Sequence, residues 1–117
     1  MKMAIARRKK PTGQVLVVMV TVKNLKEAIR IGEKMVHMKL AACANVIPGI
    51  QSIYRWKGKV AKAQEALVIL KSTPPRYRAL EKAITTMHTY EVPEVIALPV
   101  TKGFAAYVRW VRSETHG

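Results

Sequence analysis

The run Val15-Leu16-Val17-Val18-Met19-Val20-Thr21-Val22 constrains this chain more than any other stretch. It is short, β-branched and apolar at almost every position, the pattern of a strand covered on both faces. Ala66 to Leu70 and Val95 to Leu98 repeat that two-faced apolarity. A sheet built from such strands needs cover on both sides, and what the rest of the chain can supply decides the architecture.

Downstream, Asn24 followed three residues later by Glu27 is an N-cap with a returning carboxylate, and Ala28, Ile31, Met35 and Met38 recur at helical spacing. This predicts a first helix running to about Lys39. From Ala42 to Trp56 the pattern is extended, with Pro48-Gly49 as a bend or bulge and Ile50, Ser52, Tyr54 and Trp56 sharing one face. A turn at Lys57-Gly58-Lys59 returns the chain through Val60 to Thr73, giving a long hairpin. Thr73-Pro74-Pro75 opens a second helix with a buried stripe of Tyr77, Leu80, Ile84 and Met87, ending near His88. Val92 to Val100 reads as a fourth strand, and Lys102-Gly103 leads into a short helix with the stripe Phe104, Tyr107, Val108 and Val111.

The order is βαββαβ plus a C-terminal helix. Right-handed crossovers put the first two helices on the same side of a four-stranded antiparallel sheet, a ferredoxin-like α+β sandwich. Two helices cover one face only. The other would be a large apolar patch, so the expectation is a homo-oligomer in which copies cover one another.

The charge bears on partners rather than on fold. Twenty-one Lys and Arg stand against seven Glu and no Asp, a formal +14, and Lys2, Arg7, Arg8, Lys9 and Lys10 crowd the N-terminus. We read residues 1–12 as a basic flexible tail, open to nonspecific nucleic-acid contact, and 13–117 as a single domain. One Cys and six Met fit a reducing, cytoplasmic setting, and neither a signal-peptide pattern nor a membrane-spanning run is evident. Ser52, Ser72 and Ser113 lie in no Gly-x-Ser-x-Gly elbow, and the glycines form neither a P-loop nor a dinucleotide fingerprint. No enzymatic chemistry is expected.

Four ordered segments carry a resemblance: Lys39 to Gly49 (KLAACANVIPG), Ser52 to Lys59 (SIYRWKGK), Glu65 to Lys71, and His88 to Val100 (HTYEVPEVIALPV). Together they resemble the CutA family of divalent-cation tolerance proteins, over about Val15 to Val111. The resemblance implies a ferredoxin-like subunit in a homotrimer, similar in architecture to the PII signalling proteins, connected with copper and other divalent metals and requiring no cofactor. Against the family's pattern, Lys57, Ala61, Lys62 and Ala63 stand where acidic residues are common, and Met87-His88-Thr89 where a His-His-Pro run is common.

Candidate chemistry follows from that frame. Cys43 reads first as a small buried hydrophobe; three copies converging near an axis would instead offer thiolates suited to Cu(I). His88 resembles the second His of the family's pair and sits at a helix C-terminus, where imidazolium is favoured. Its first reading is a capping or hydrogen-bonding group, as that of Cys43 is packing; if the chain holds a metal, these two are its candidate ligands. Glu91 and Glu94, three apart in an extended strand, should point to opposite faces about 10 Å apart. Glu94 then pairs with a Lys or Arg across a subunit interface, Lys59 and Lys71 being available. The alternative function is a PII-like sensor holding an anionic small molecule in clefts between copies, with Lys59, Lys71, Tyr90 and Glu94 as ligand-binding residues.

Overall fold

The computed structural model describes residues 14–116; the basic tail at 1–12 lies outside the described residues. Seven elements follow one another: β1 (Val15–Val22), α1 (Leu25–His37), β2 (Cys43–Trp56), β3 (Lys59–Ser72), α2 (Pro74–Met87), β4 (Val95–Val100) and α3 (Ala105–Glu114). The four strands form one sheet in the order β2-β3-β1-β4, every pair antiparallel. This is the ferredoxin-like α+β sandwich with an added C-terminal helix that the element order predicts.

Local chemistry explains the boundaries. At the start of α1 the Asn24 side chain accepts the Glu27 N–H at 2.9 Å, the N-cap bond expected of that pair. The Glu27 carboxylate does not return to the cap; it accepts from Arg30 at 2.9 Å, which lowers its pKa. Arg30 also donates to the Met87 carbonyl, tying α1 to the end of α2. The first helix stops at His37 rather than Lys39. Lys39 takes a left-handed φ of 59° while Leu40 N–H turns back to the Met35 carbonyl, so Met38 falls outside the helix and is exposed.

The hairpin behaves as the sequence indicates. A register shift between Ile47 and Ile50 marks a bulge, with Gly49 at φ 68°. Lys57 and Gly58 both have positive φ between the paired Trp56 and Lys59, the requirement of a two-residue primed turn. Thr73 occupies the N-cap of α2 but makes no side-chain cap bond. Its hydroxyl lies 3.4 Å from that of Thr115, fastening α3 to this corner.

One face of the sheet carries Val18, Val20, Val22, Ala66, Val68 and Leu70, packed under Ala28, Ile31 and Met35 of α1 and Leu80 and Ile84 of α2. Each such fully buried Val, Leu, Ile or Met contributes about 1.5–3 kcal/mol of hydrophobic transfer. Tyr77 and Met87 pack against the cluster from its margin.

Among the described residues the opposite face is largely uncovered. By register and alternation Val17, Met19, Ile47, Leu67, Ile69, Ile96 and Leu98 all point there. Ile96 and Leu98 remain 48% and 50% exposed and Ile47 is also open, while the rest are half-buried. Tyr107 interacts with Cys43, which lies in the same outward row, so α3 reaches this face only at that end. The stripe expected on the last helix is accordingly incomplete. Val111 is buried, but Phe104 precedes the first turn and is 79% exposed, and Tyr107 is open to solvent.

Candidate functional site

Toward the other end of the bare face is a cleft of about 640 Å³. Ser52, Tyr54 and Trp56 line it from β2, Glu65 from β3 and Thr21 from β1; Thr89, Tyr90, Glu91 and Glu94 come from the connection between α2 and β4. The alternation that places Ser52, Tyr54 and Trp56 on one side also places Glu65 there, because Glu65 pairs with Ile50.

The connecting segment is held by a chain of hydrogen bonds. His88 donates from Nε2 to the Thr21 carbonyl at 2.8 Å and accepts the Tyr90 N–H on Nδ1 at 3.1 Å. That fixes the neutral tautomer and folds Tyr90 over the ring, with centroids 4.7 Å apart. The Tyr90 hydroxyl then donates to Glu65 Oε2 at 2.6 Å, a short bond of the kind expected with a carboxylate. Burial first, and the Glu65 bond and charge second, push the Tyr90 hydroxyl far above the usual tyrosine range. Thr21 Oγ1 donates to Glu94 Oε1 at 3.3 Å.

The expected site residues separate into three places. Tyr90 and Glu94 come together in this cleft. Cys43 lies at the far end of β2, where Lys71 Nζ is 3.9 Å from its sulfur and also hydrogen-bonds Asn45 Oδ1. Lys59 stands beside the hairpin turn, twelve residues along β3 from Lys71, a span of roughly 40 Å in an extended strand. In one chain these two lysines therefore do not share a site.

Cys43 and His88 do not meet either. Cys43 is in register with Lys71 and hence with Val17, whereas His88 bonds Thr21, four residues or about 13 Å further along β1. Both ring nitrogens of His88 are occupied by backbone groups, leaving no lone pair for a metal. A thiol and an imidazole so placed do not form a metal pair within one subunit. Among the described residues no three His, Cys, Asp or Glu side chains are gathered closely enough to hold a metal ion.

Glu91 and Glu94 also differ from expectation. The fourth strand starts at Val95 rather than Val92, so both glutamates sit in the irregular connection and line the same cleft instead of opposite strand faces. Pro93, which has no N–H to give a ladder, keeps this stretch out of the sheet. Sequence reasoning missed Glu65, Thr21 and Ser52 as cleft residues and placed Tyr54 and Trp56 only on a shared strand face. The parity that groups Glu65 with the outward row was the available signal.

The cleft thus combines three of the chain's seven glutamates with the hydroxyls of Tyr54, Tyr90, Thr21, Ser52 and Thr89, and among the described residues no Lys or Arg lines it. In a chain of formal charge +14 that is a locally inverted electrostatic environment.

Fold and cleft together define a ferredoxin-like α+β domain with an acidic recess on its open sheet face. The chain belongs to the CutA1 divalent ion tolerance protein family, whose profile matches residues 16–114. It is 40% identical over 99 residues to the divalent-cation tolerance protein CutA of Thermus thermophilus, covering 85% of this chain and 96% of that protein. The chloroplastic protein CutA of Arabidopsis thaliana is 42% identical over 100 residues, 86% of this chain but 55% of the plant protein. The chain therefore spans nearly all of the bacterial relative and about half of the plant one. A solved structure of the divalent cation tolerance protein from Thermus thermophilus matches with a TM-score of 0.85 and 39% identity, covering 87% of this chain and 99% of that one. None of these names states a reaction. A chloroplastic relative also means that membership does not by itself assign the cytoplasm. Among the described residues no helix is long and apolar enough to cross a membrane.

Proposed function

We propose that the chain serves divalent-cation tolerance as a homotrimer that binds a cation and catalyses no reaction. The observation supporting this reading is the acidic cleft, where Glu65, Glu91 and Glu94 face one recess without a lining Lys or Arg among the described residues. Tyr90 orients Glu65 and Thr21 orients Glu94. Because no three of these carboxylates lie close enough to ligate one ion directly, the cleft would hold a hydrated ion by charge, which suits hard divalent ions that keep several waters better than it suits Cu(I). Copper would enter as Cu(II) through the same oxygens rather than through Cys43 and His88. Three copies packed sheet to sheet would cover Val17, Met19, Leu67, Ile69, Ile96 and Leu98 and add a second wall to each cleft. The anion-sensing alternative has no comparable support, since Lys59 and Lys71 stand at opposite ends of β3.

Calorimetric titration with manganese, calcium, zinc and copper salts tests the reading, on the native chain and on Glu94→Gln and Cys43→Ser. Saturable binding weakened by Glu94→Gln and indifferent to Cys43→Ser is expected. Binding lost with Cys43→Ser and unaffected by Glu94→Gln would overturn it, as would no saturable binding of any ion.

A further inference from the structure

The same cleft contains more than a small inorganic ion needs. We propose that it takes an organic ammonium ion, with Glu65 as the counter-charge and Tyr54, Trp56 and Tyr90 as aromatic walls; this rests on the reading of the cleft as a cation site.

Glu65 carries the argument. It is only 8% exposed, yet its sole hydrogen-bond partner among the described residues is the Tyr90 hydroxyl on Oε2. The one ion pair among those residues is Arg30 with Glu27, on the far side of the fold's core. A carboxylate with this little access to water and no cation beside it among the described residues is left under-compensated, and a positive ligand entering the recess would meet that charge. Its cation comes from a ligand.

The walls say which kind. Two tyrosines, one tryptophan, Ile53 and Val92 line the recess beside the carboxylates. A divalent metal binds through oxygen atoms and gains little from such surfaces. An alkylammonium is large, weakly hydrated and attracted to the electron-rich faces of aromatic rings, and Trp is the best of these. The Trp56 ring already receives an ammonium, since Lys57 Nζ stands 5.8 Å from its centroid. The volume, about 640 Å³, also falls within the range of small-molecule sites and far exceeds that of an ion. The ammonium group is the recognised chemistry, and two sources could bring it: a free small molecule, which we favour because the recess is this roomy, or a lysine of a second copy.

Calorimetry with tetramethylammonium chloride, its uncharged isostere tert-butanol, and manganese chloride in parallel distinguishes the cases, on the full chain and on Trp56→Leu and Glu65→Gln. Gln can still accept the Tyr90 hydroxyl, and Trp56 is exposed enough for its loss to leave the fold intact. Expected are saturable tetramethylammonium binding, none of tert-butanol, and weakening of about tenfold with Trp56→Leu and at least as much with Glu65→Gln. Manganese binding without tetramethylammonium binding overturns this inference alone; silence to both overturns the cation reading with it. Tetramethylammonium binding without manganese binding upholds the inference and overturns the metal reading. No tetramethylammonium binding, combined with a loss of subunit association in Glu65→Gln by native mass spectrometry, overturns the free ligand and assigns the ammonium to a neighbouring copy.

Discussion

Tyr90→Phe removes one oxygen atom and, with it, the only hydrogen bond that the buried Glu65 carboxylate makes among the described residues. Hydrogen bonds to charged groups contribute about 1.5–3 kcal/mol, and the 2.6 Å length and low exposure put this one in the upper part of that range, offset by the smaller cost of burying Phe. A destabilisation of about 2 kcal/mol is expected. The single variant Glu65→Met should also destabilise, because it strands the phenol, whereas Tyr90→Phe with Glu65→Met replaces both partners and should cost clearly less than the two singles added. Urea unfolding of all four proteins, at one fixed subunit concentration because assembly couples to unfolding, gives the coupling energy. A coupling of about 1.5 kcal/mol or more is predicted; additivity to within about 0.5 kcal/mol would refute the idea that these groups form a buried pair.

Other consequences are simpler to state. Ile84→Ala, at a fully buried position of the core cluster, should cost about 2–5 kcal/mol by the same unfolding assay; a cost below that range would mean the core is not centred there. Gly32 faces β2 so closely that an added Cβ would lie 3.0 Å from the Ala44 Cβ, so the larger Gly32→Val should lose about 1–3 kcal/mol despite its better backbone entropy, and Ala44→Gly should recover part of it. The raised Tyr90 pKa has its own signature. The folded state keeps this phenol protonated where the unfolded chain ionises it, so its contribution is intact below about pH 10 and is lost as pH rises beyond that. Phenolate absorbance should show Tyr90 titrating last, after Tyr77 and Tyr107, whose phenols burial also raises, and the assignment fails if Tyr90→Phe retains that latest step.

Much of the fold was legible because it is written in local chemistry. The unbroken apolarity of Val15 to Val22, the Asn24 cap, the Pro48-Gly49 bulge and the Lys57-Gly58 turn each act over a few residues, and each appears where the sequence puts it. The α2 stripe held at Leu80 and Ile84 for the same reason. What escaped depends on distant partners. Whether Val92 to Glu94 joins a strand was decided by His88 anchoring to Thr21, sixty-seven residues away, and by Pro93. Periodicity marks Phe104 and Tyr107 as apolar positions on or next to a helix, but cannot tell whether this chain offers anything for them to pack against. For the site, Tyr90 and Glu94 do line one cleft, but its carboxylates make it a poor place for the anion they were expected to hold; Glu65 looked like part of a hydrophobic strand. The role of Glu65 emerges only when β3 is paired with β2 and Tyr90 is folded onto it. Cys43 and His88 were singled out separately, by residue type and by resemblance, and the register of three strands keeps them apart within one chain.

The bare sheet face is the feature on which the assembly and the walled clefts both depend. Native mass spectrometry at micromolar concentration, on the native chain and on Ile69→Arg, tests it most directly. Ile69 lies in the middle of that face, on β3 between β2 and β1. The account predicts particles of three 13.1 kDa chains for the native protein and a shift to single chains, still folded by circular dichroism, for the variant. A native protein that is monomeric under these conditions, or an Ile69→Arg protein that assembles as before, would contradict it.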